Sequence, residues 1–221
     1  MPDIKESTQP ESTPKPNRMD KRRLETRAKL LKATLALVVE KGIEKTTMDD
    51  ITETADLGRR TLYYHFDSKD QCVIAAVALA YGEIAEAADR KANEHTDPAM
   101  TVAVAMQMVI RAVLHAPVTA RLVEYPRFLA AALKDAIGVY VYGDLAVGLE
   151  QGRFDPLLEG QLLDTHVLWT LVGFMIDALD VEKGINVDET LNSYTAFLLV
   201  VLGLSKAEAR EITEAASKLS P

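Results

Sequence analysis

The sequence contains one cysteine, Cys72, among 221 residues. A single thiol cannot form an intrachain disulfide, and it excludes the cysteine clusters of structural zinc sites. We expect Cys72 to pack as a small apolar side chain. This cysteine content is compatible with a reducing compartment.

The sequence also shows no long apolar segment and no export-signal pattern. We find no apolar run that approaches the roughly 18 residues of a membrane-spanning helix. The N-terminal stretch MPDIKESTQPESTPKPNRMDKRR has no apolar core of the kind found in signal peptides. We therefore expect a cytoplasmic protein that has no membrane among its partners.

The motifs of common catalytic and metal sites are absent as well. A helical di-iron site needs Glu-x-x-His pairs, but the residues three positions before the four histidines are Leu62, Ala92, Ala112 and Leu163. There is no phosphate-binding loop, dinucleotide fingerprint, nucleophile elbow or Cys-His metal spacing. We expect no enzyme activity, no catalytic residues, no metal site and no cofactor.

Charge is unevenly distributed along the chain. The net charge is −8, yet residues 1–69 hold 14 basic and 12 acidic side chains, whereas residues 70–221 hold 11 and 21. Residues 15–32 alone contain eight basic and two acidic side chains. A basic front end on an acidic chain indicates a bipartite protein.

Apolar residues recur at the three- and four-residue steps of amphipathic helices. On the first helix, which we predict from about residue 20, the expected buried stripe is Leu24, Ala28, Leu31, Leu35 and Val38. Helices are predicted over about 20–41, 47–55, 59–65, 68–92, 98–116, 126–151, 157–180 and 188–202, with a last one after residue 205. Residues 1–18, rich in Pro, Ser, Thr, Glu and Lys, are predicted to be a disordered arm. The fold class is all-α.

Residues 46–66 combine two short helices with a three- to four-residue turn, the pattern of a helix-turn-helix. Its inward positions are apolar: Ile51, Ala55, Leu57, Leu62 and Phe66. The opposite face of the second helix is left to meet the major groove: Arg59, Arg60, Thr61, Tyr63, Tyr64 and His65. Arginine can pair with guanine, and hydroxyl or imidazole groups can donate to phosphates.

The segment TTMDDITETADLGRRTLYYHFDSKDQ resembles the DNA-binding signature of the TetR family of bacterial transcriptional regulators. The resemblance implies that Thr61, Tyr63, His65 and Lys69 touch DNA and that Thr47 contacts a backbone phosphate. Three positions depart from the family pattern. Asp56 replaces a common glycine, Gly58 replaces a residue that would cap the next helix, and Arg60 replaces a small residue or proline. We expect Arg60 to affect which bases are read.

The resemblance also implies a domain organisation. A helix-turn-helix DNA-binding domain is expected at 19–67, followed by a helical ligand-binding and dimerisation domain at 68–221 that begins with a connecting helix at 68–92. The segments 157–180 and 188–202 are apolar on more than one face, which favours burial against a second subunit as well as against their own domain. We expect a homodimer on palindromic double-stranded DNA.

Ligand-pocket candidates are soft or aromatic side chains near polar partners. The strongest set is Met106, Val109, His115, Tyr125, Phe128, Tyr140, His166 and Trp169, and Met108, Arg111 and Phe174 are further candidates. Methionine-rich walls suit an adaptable apolar site.

The resulting hypothesis is a dimeric repressor that a small, largely apolar molecule of unknown identity releases from its operator. Two alternatives remain open: a ligand-responsive activator, or a helical protein-interaction module that does not bind DNA.

Overall fold

In the computed structural model, the described residues are 17–156, 160–180 and 184–220, and every regular element within them is an α-helix. The helices are α1 (Arg18–Lys41), α2 (Met48–Ala55), α3 (Arg59–His65), α4 (Lys69–Ala92), α5 (Pro98–His115), α6 (Thr119–Leu122), α7 (Pro126–Glu150), α8 (Gly160–Leu179), α9 (Val187–Val201) and α10 (Lys206–Leu219). The all-α prediction is confirmed. The predicted helix start near residue 157 lies outside the described residues, as do residues 1–16 of the predicted arm.

The first helix begins two residues earlier than predicted because Asn17 caps it. The Asn17 side chain accepts hydrogen bonds from the backbone N–H groups of Met19 and Asp20 at 2.8 and 3.0 Å, and the Asp20 carboxylate accepts from the Asn17 N–H at 3.2 Å. This reciprocal capping box satisfies backbone donors that a helix start leaves free. Arg18 is therefore the first residue of α1 and Asn17 is its N-cap, although the arm was predicted to reach residue 18.

Helices α1–α3, which we call the headpiece, pack around a small apolar core. Its fully or almost fully buried members are Leu30, Leu31, Leu37, Ile51, Leu62 and Phe66, joined by Cys72 and Ala76 from α4. Ala55 and Leu57 pack against this core while remaining partly exposed. The predicted inward face of the helix-turn-helix is thus confirmed.

The predicted stripe on α1 is wrong at one end. Leu31 and Val38 are buried, but the side chain of Leu24 is 61% exposed. Residues 18–25, the first two turns of α1, are all exposed, so Leu24 is not buried although its spacing fits the stripe.

The turn between α2 and α3 has the geometry expected from its residues. Asp56 adopts the left-handed conformation at φ 52°, which a short polar side chain tolerates. Gly58 precedes α3 without a side-chain cap. Both consequences of the departures from the family pattern are confirmed.

Helices α4, α5, α7, α8, α9 and α10 enclose the second and much larger core. Helix α4 packs against α1 and also against α5 and α7, so it connects the headpiece to the rest of the molecule. Tyr81 of α4 is fully buried, and its hydroxyl lies 2.8 Å from the Thr119 hydroxyl of α6. Helix α6 has only four residues and was not predicted.

Three helices are long and apolar enough, by length and composition alone, to cross a membrane: α4, α5 and α8. This corrects the expectation that no segment reaches that limit. The apolar character of α4 and α5 has a different explanation in this fold, because each packs against several neighbouring helices.

Candidate DNA-binding surface and ligand pocket

Helix α3 presents its polar face to solvent beside the turn. Tyr63 and Tyr64 are 56% and 70% exposed, although the neighbouring Leu62 is fully buried. Arg59 and Arg60 are exposed, and Thr61 is half-buried. Large aromatic side chains rarely point outward without a partner, so this face has the shape and composition of a recognition surface.

Arg59 is not free in the DNA-free protein. Its guanidinium forms an ion pair with the Asp49 carboxylate of α2, and both side chains are mostly exposed. Exposed pairs of this kind contribute little to stability. A DNA phosphate or base can therefore replace Asp49 at small cost.

His65 lies at the end of α3, between the recognition face and α1. Its ring packs edge-on against Tyr64 with centroids 5.1 Å apart. Partial burial lowers the pKa of His65, and the nearby charges of Arg23 and Arg27 lower it further. Both causes disfavour the charged imidazolium.

Thr47 already has partners at the start of α2. Its hydroxyl donates to the Asp50 carboxylate at 2.7 Å and accepts from the Asp50 backbone N–H at 3.1 Å. Lys41 forms a 2.8 Å ion pair with the same carboxylate. The hydrogen bonds from Lys41 and Thr47 lower the pKa of Asp50 to about 2. Thr47 remains exposed beside the positive end of α2, which suits phosphate.

Lys69 lies at the start of α4, where its ammonium donates to the Ile43 carbonyl at 3.0 Å. An ammonium has three donors, so this bond leaves two for a phosphate. The bond also ties α4 to the loop between α1 and α2.

The N-terminal half of α1 carries the basic residues noted in the sequence. The exposed ones within the helix are Arg18, Lys21, Arg22, Arg23, Arg27, Lys29 and Lys32. The Arg27 guanidinium carbon lies 5.2 Å from the centre of the Phe66 ring, a cation–π contact that fixes α1 against the end of α3. The basic helix and the recognition helix therefore form one continuous part of the surface.

A mainly apolar pocket lies between α4, α5, α7, α8 and α9. It encloses about 610 Å³ of space between atoms, part of it open to solvent. Its lining residues are Ala85, Asp89, Val102, Ala105, Met106, Val109, Ile137, Tyr140, Val141, Asp144, Leu145, Val167, Leu171 and Leu198. A second pocket, whose space between atoms is about 460 Å³ with open solvent included, shares six of these residues, among them Met106 and Ile137.

Three residues of the main predicted ligand set line this pocket: Met106, Val109 and Tyr140. The structure places the other five elsewhere. His115 is exposed at the end of α5. His166 and Trp169 lie on the outer side of α8 beside Thr165 and Thr170.

Tyr125 and Phe128 lie at the junction of α6 and α7, where their rings meet edge-on with centroids 6.1 Å apart. A hydrogen bond with Glu44 raises the pKa of Tyr125, so this tyrosine faces the α1–α2 loop. Of the further candidates, Arg111 forms an ion pair with Asp188, and Phe174 stacks on Tyr194 with ring centres 5.4 Å apart.

The lining also includes two aspartates that the sequence pattern did not indicate, Asp89 and Asp144. Burial raises the pKa of Asp144 to about 6, and the nearby charge of Asp89 adds to the effect. A carboxylate among apolar residues is costly unless something neutralises it. The only available signal was an aspartate in an otherwise apolar stretch, YVYGDLAVG.

Arg121 of α6 connects the larger unit to the headpiece. Its guanidinium donates to the backbone carbonyls of Val39 and Glu40 at 3.2 and 3.4 Å. These carbonyls lie in the last turn of α1, where helices leave acceptors free and favour positive charge. The headpiece is therefore held at two places, by α4 and by the α6–α7 junction.

Apolar side chains are exposed on the last long helices. Leu162 and Trp169 of α8 are 60% and 46% exposed, and Phe197 of α9 is 52% exposed. Large apolar side chains exposed on helices that pack together are candidates for a protein interaction surface.

Comparison with known proteins identifies both parts of the chain. Residues 30–76 match the family described as bacterial regulatory proteins, tetR family. Residues 97–215, more than half of the chain, match the description tetracyclin repressor-like, C-terminal domain.

Curated relatives match short stretches of the chain. A probable acrEF/envCD operon repressor of Escherichia coli K12 is 38% identical over 48 residues, 22% of each chain. IcaR of Staphylococcus aureus, a negative transcriptional regulator of the biofilm operon icaADBC, is 44% identical over 41 residues, 19% of this chain and 22% of the relative. The matches thus span about a fifth of these relatives' length.

A solved structure extends the likeness to most of the molecule. RolR without ligand is 26% identical, with a TM-score of 0.72, over 85% of this chain and 95% of its own. RolR in complex with resorcinol gives a TM-score of 0.67 over 87% and 95%. The chain belongs to the tetR family of bacterial regulatory proteins.

Proposed function

We propose that this protein is a cytoplasmic homodimeric repressor that binds a palindromic operator and is released by a small, largely apolar molecule. The observation that carries the proposal is the course of α4. Its first turn contacts the headpiece through Lys69, and its later residues Ala85 and Asp89 line the pocket. A helix of 24 residues spans about 36 Å, so one rigid element joins the two sites.

The DNA contacts are assigned to the exposed face of α3 and its surroundings. We assign base contacts to Arg59, Arg60 and Thr61, and phosphate contacts to Tyr63, Tyr64 and His65. Thr47 and Lys69 hold the phosphates on either side through helix N-termini. The basic part of α1 adds attraction that does not depend on sequence.

The dimer is assigned to α8 and α9. Three apolar side chains support this assignment: Leu162, Trp169 and Phe197. They are exposed to solvent in the single chain, and a dimer interface would cover them. A dimer places two recognition helices in successive major grooves about 34 Å apart, which requires a palindromic site.

Release follows from coupling between the pocket and the headpiece. A ligand that binds more tightly to a conformation in which α4 has changed position increases the fraction of molecules in that conformation. Arg121 and Tyr125, at the α6–α7 junction, provide a second connection to α1 and its following loop. The RolR complex with resorcinol supports a ligand of about one ring in size.

The function is tested by fluorescence anisotropy with the DNA upstream of the protein's own gene. Tyr63→Ala and Lys69→Ala should each weaken operator binding by about tenfold, because each loses a phosphate contact. Glu53→Gln, an exposed change on α2, is the matched control. If the unmodified protein does not raise the anisotropy of this DNA even at low salt, the DNA-binding assignment is refuted.

The same variants are examined by sedimentation. Both should remain dimers, because their changes lie outside α8 and α9. Monomers would refute the separation of DNA binding from dimerisation. Loss of dimers on Trp169→Ala would support the assigned dimer surface.

A further inference from the structure

Two adjacent arginines begin α3, and they differ in their partners. The guanidinium of Arg59 donates from Nη2 to the carboxylate of Asp49, which lies in the first turn of α2. Arg60 is exposed and forms no ion pair among the described residues. One arginine of the recognition face is therefore held in position before any DNA binds, and the other is not.

Asp49 can pair with Arg59 because the neighbouring carboxylate is engaged elsewhere. Asp50 accepts hydrogen bonds from the Thr47 N–H at 2.8 Å and from the Thr47 hydroxyl at 2.7 Å, and it forms an ion pair with Lys41 at 2.8 Å. These contacts belong to the capping box at the start of α2. Successive residues of a helix point about 100° apart, so Asp49 lies on another face of α2, beside the start of α3.

The ion pair leaves Arg59 able to bind a base. An arginine side chain has five N–H donors, and the bond to Asp49 engages one of them. Bidentate contact with O6 and N7 of guanine needs two donors. DNA therefore does not have to displace Asp49 in order to pair with Arg59, although an exposed ion pair of this kind is weak.

The ion pair also changes which part of the DNA Arg59 favours. A guanidinium next to a carboxylate has little net charge, so its attraction to phosphate is reduced, while its remaining donors can still bind a base edge. An arginine that is already ordered also loses less side-chain freedom when it binds. Both effects favour a base over a phosphate as the partner of Arg59.

We propose that Asp49 is a positioning residue for DNA readout, which orients Arg59 toward a guanine in each half of the operator without itself touching DNA. This inference rests on the proposed function, because it requires that α3 lies in the major groove. Removal of the Asp49 carboxylate then has two opposite effects. Loss of a negative charge near DNA strengthens binding to any sequence, whereas loss of the orienting contact weakens the preference for the operator.

The test uses the full chain and the operator that the unmodified protein selects from a randomised DNA pool. Each symmetry-related set of G·C pairs in that operator is replaced in turn by A·T pairs. Fluorescence anisotropy then gives the dissociation constant for every operator and for a duplex of random sequence. The variants are Asp49→Asn, Asp49→Glu, Arg59→Ala and the double variant of Asp49→Asn with Arg59→Ala. Glu53→Gln, which removes an exposed charge from the same helix, is the matched control.

The expected result is a separation of sequence preference from overall affinity. At one G·C position in each half-site, replacement should weaken binding of the unmodified protein about tenfold and binding of Arg59→Ala less than about twofold. Asp49→Asn should lower this discrimination to about threefold, while its affinity for random DNA rises about twofold. Asp49→Glu, which keeps the carboxylate, should retain more of the discrimination than Asp49→Asn. Glu53→Gln should raise the affinity for random DNA and leave the discrimination unchanged.

The double variant shows whether Asp49 acts through Arg59. In the Arg59→Ala background, Asp49→Asn should cause no further loss of discrimination, because the side chain that it orients is absent. A further loss in that background would overturn the inference.

Two other results would also overturn it. If Asp49→Asn changes the affinities for operator and random DNA by the same factor, Asp49 acts through its charge alone. If no G·C position depends on Arg59, there is no guanine contact for Asp49 to support. In both cases, selective operator binding by the unmodified protein leaves the proposed function intact. An unmodified protein that selects no DNA sequence refutes the proposed function, and this inference with it.

Discussion

The headpiece and the larger unit are stabilised by apolar cores of very different size. Among the described residues, the headpiece core has eight buried members, two of them supplied by α4, whereas the other core has forty. A small core suffices where the surface it supports is a single short helix. The larger core packs together the helices that line the pocket.

The same comparison explains why a sequence pattern indicates one candidate site as a unit and not the other. The candidate DNA-binding face is contiguous: Arg59 to His65 form one helix, and Leu62 and Phe66 pack behind it. A local pattern therefore specifies the face. The pocket draws Asp89, Met106 and Asp144 from three helices, and no local pattern records which residues meet.

Residue type alone does not indicate which side chains line the pocket between α4, α5, α7, α8 and α9. His166 and Trp169, predicted because aromatic and polar groups often line pockets, lie instead on the exposed side of α8 beside Thr165 and Thr170. Their role as ligand contacts stays a prediction. Small residues such as Ala85 and Ala105 line the pocket because they leave space, and nothing about an alanine on a helix signals that role. Helix α6 was missed because four residues give no periodicity.

The largest expected effect on stability comes from truncating one buried leucine to alanine in each of the two cores. Leu62→Ala and Leu129→Ala both truncate a fully buried leucine, and each should cost about 2–5 kcal/mol of unfolding free energy. In the headpiece this loss should abolish operator binding while calorimetry still detects ligand binding. Leu129→Ala should instead lower the thermal stability of the larger unit. Equal loss of both activities in both variants would show that the two cores unfold together.

Substitution of Arg60 tests how strongly the headpiece surface determines which DNA sequence is bound. Arg60→Gly should reduce discrimination at one or two base positions by about 1–3 kcal/mol, because a bidentate contact to guanine is lost. Operator selection from a randomised DNA pool gives the measurement, with Arg90→Gly on α4 as a control far from α3. An unchanged selection profile would refute a base-reading role.

Arg121 tests the connection between the two regions. Arg121→Ala removes two hydrogen bonds to the end of α1, so the coupling between ligand and operator should fall by about 1 kcal/mol, roughly fivefold in the ligand's effect on operator affinity. Each affinity measured alone should change little. Full ligand-induced release by this variant would indicate that α4 carries the coupling without α6.

The smallest expected effect concerns the stability of the larger unit at different pH. Because the pKa of Asp144 is raised to about 6 in the folded protein, the folded state holds this proton more tightly than the unfolded chain. Stability from this group is present below about pH 4 and is lost as pH rises to about 6. Asp144→Asn should therefore raise the melting temperature at neutral pH by about 3 °C, allowing for solvent screening, and by less at pH 4. Scanning calorimetry at both pH values is the measurement, and an equal shift at both would contradict the assignment.

Cys72 has a practical consequence for measuring motion. Its thiol is fully buried, lies 3.1 Å from the Thr34 hydroxyl, and has a pKa raised by burial. Only the thiolate reacts with common spectroscopic labels, so the native cysteine stays unlabelled in the folded protein. Glu53→Cys on the exposed side of α2 would then carry a single spin label per chain. The separation of the headpieces in a dimer becomes a directly measurable distance, with the natural sequence otherwise intact.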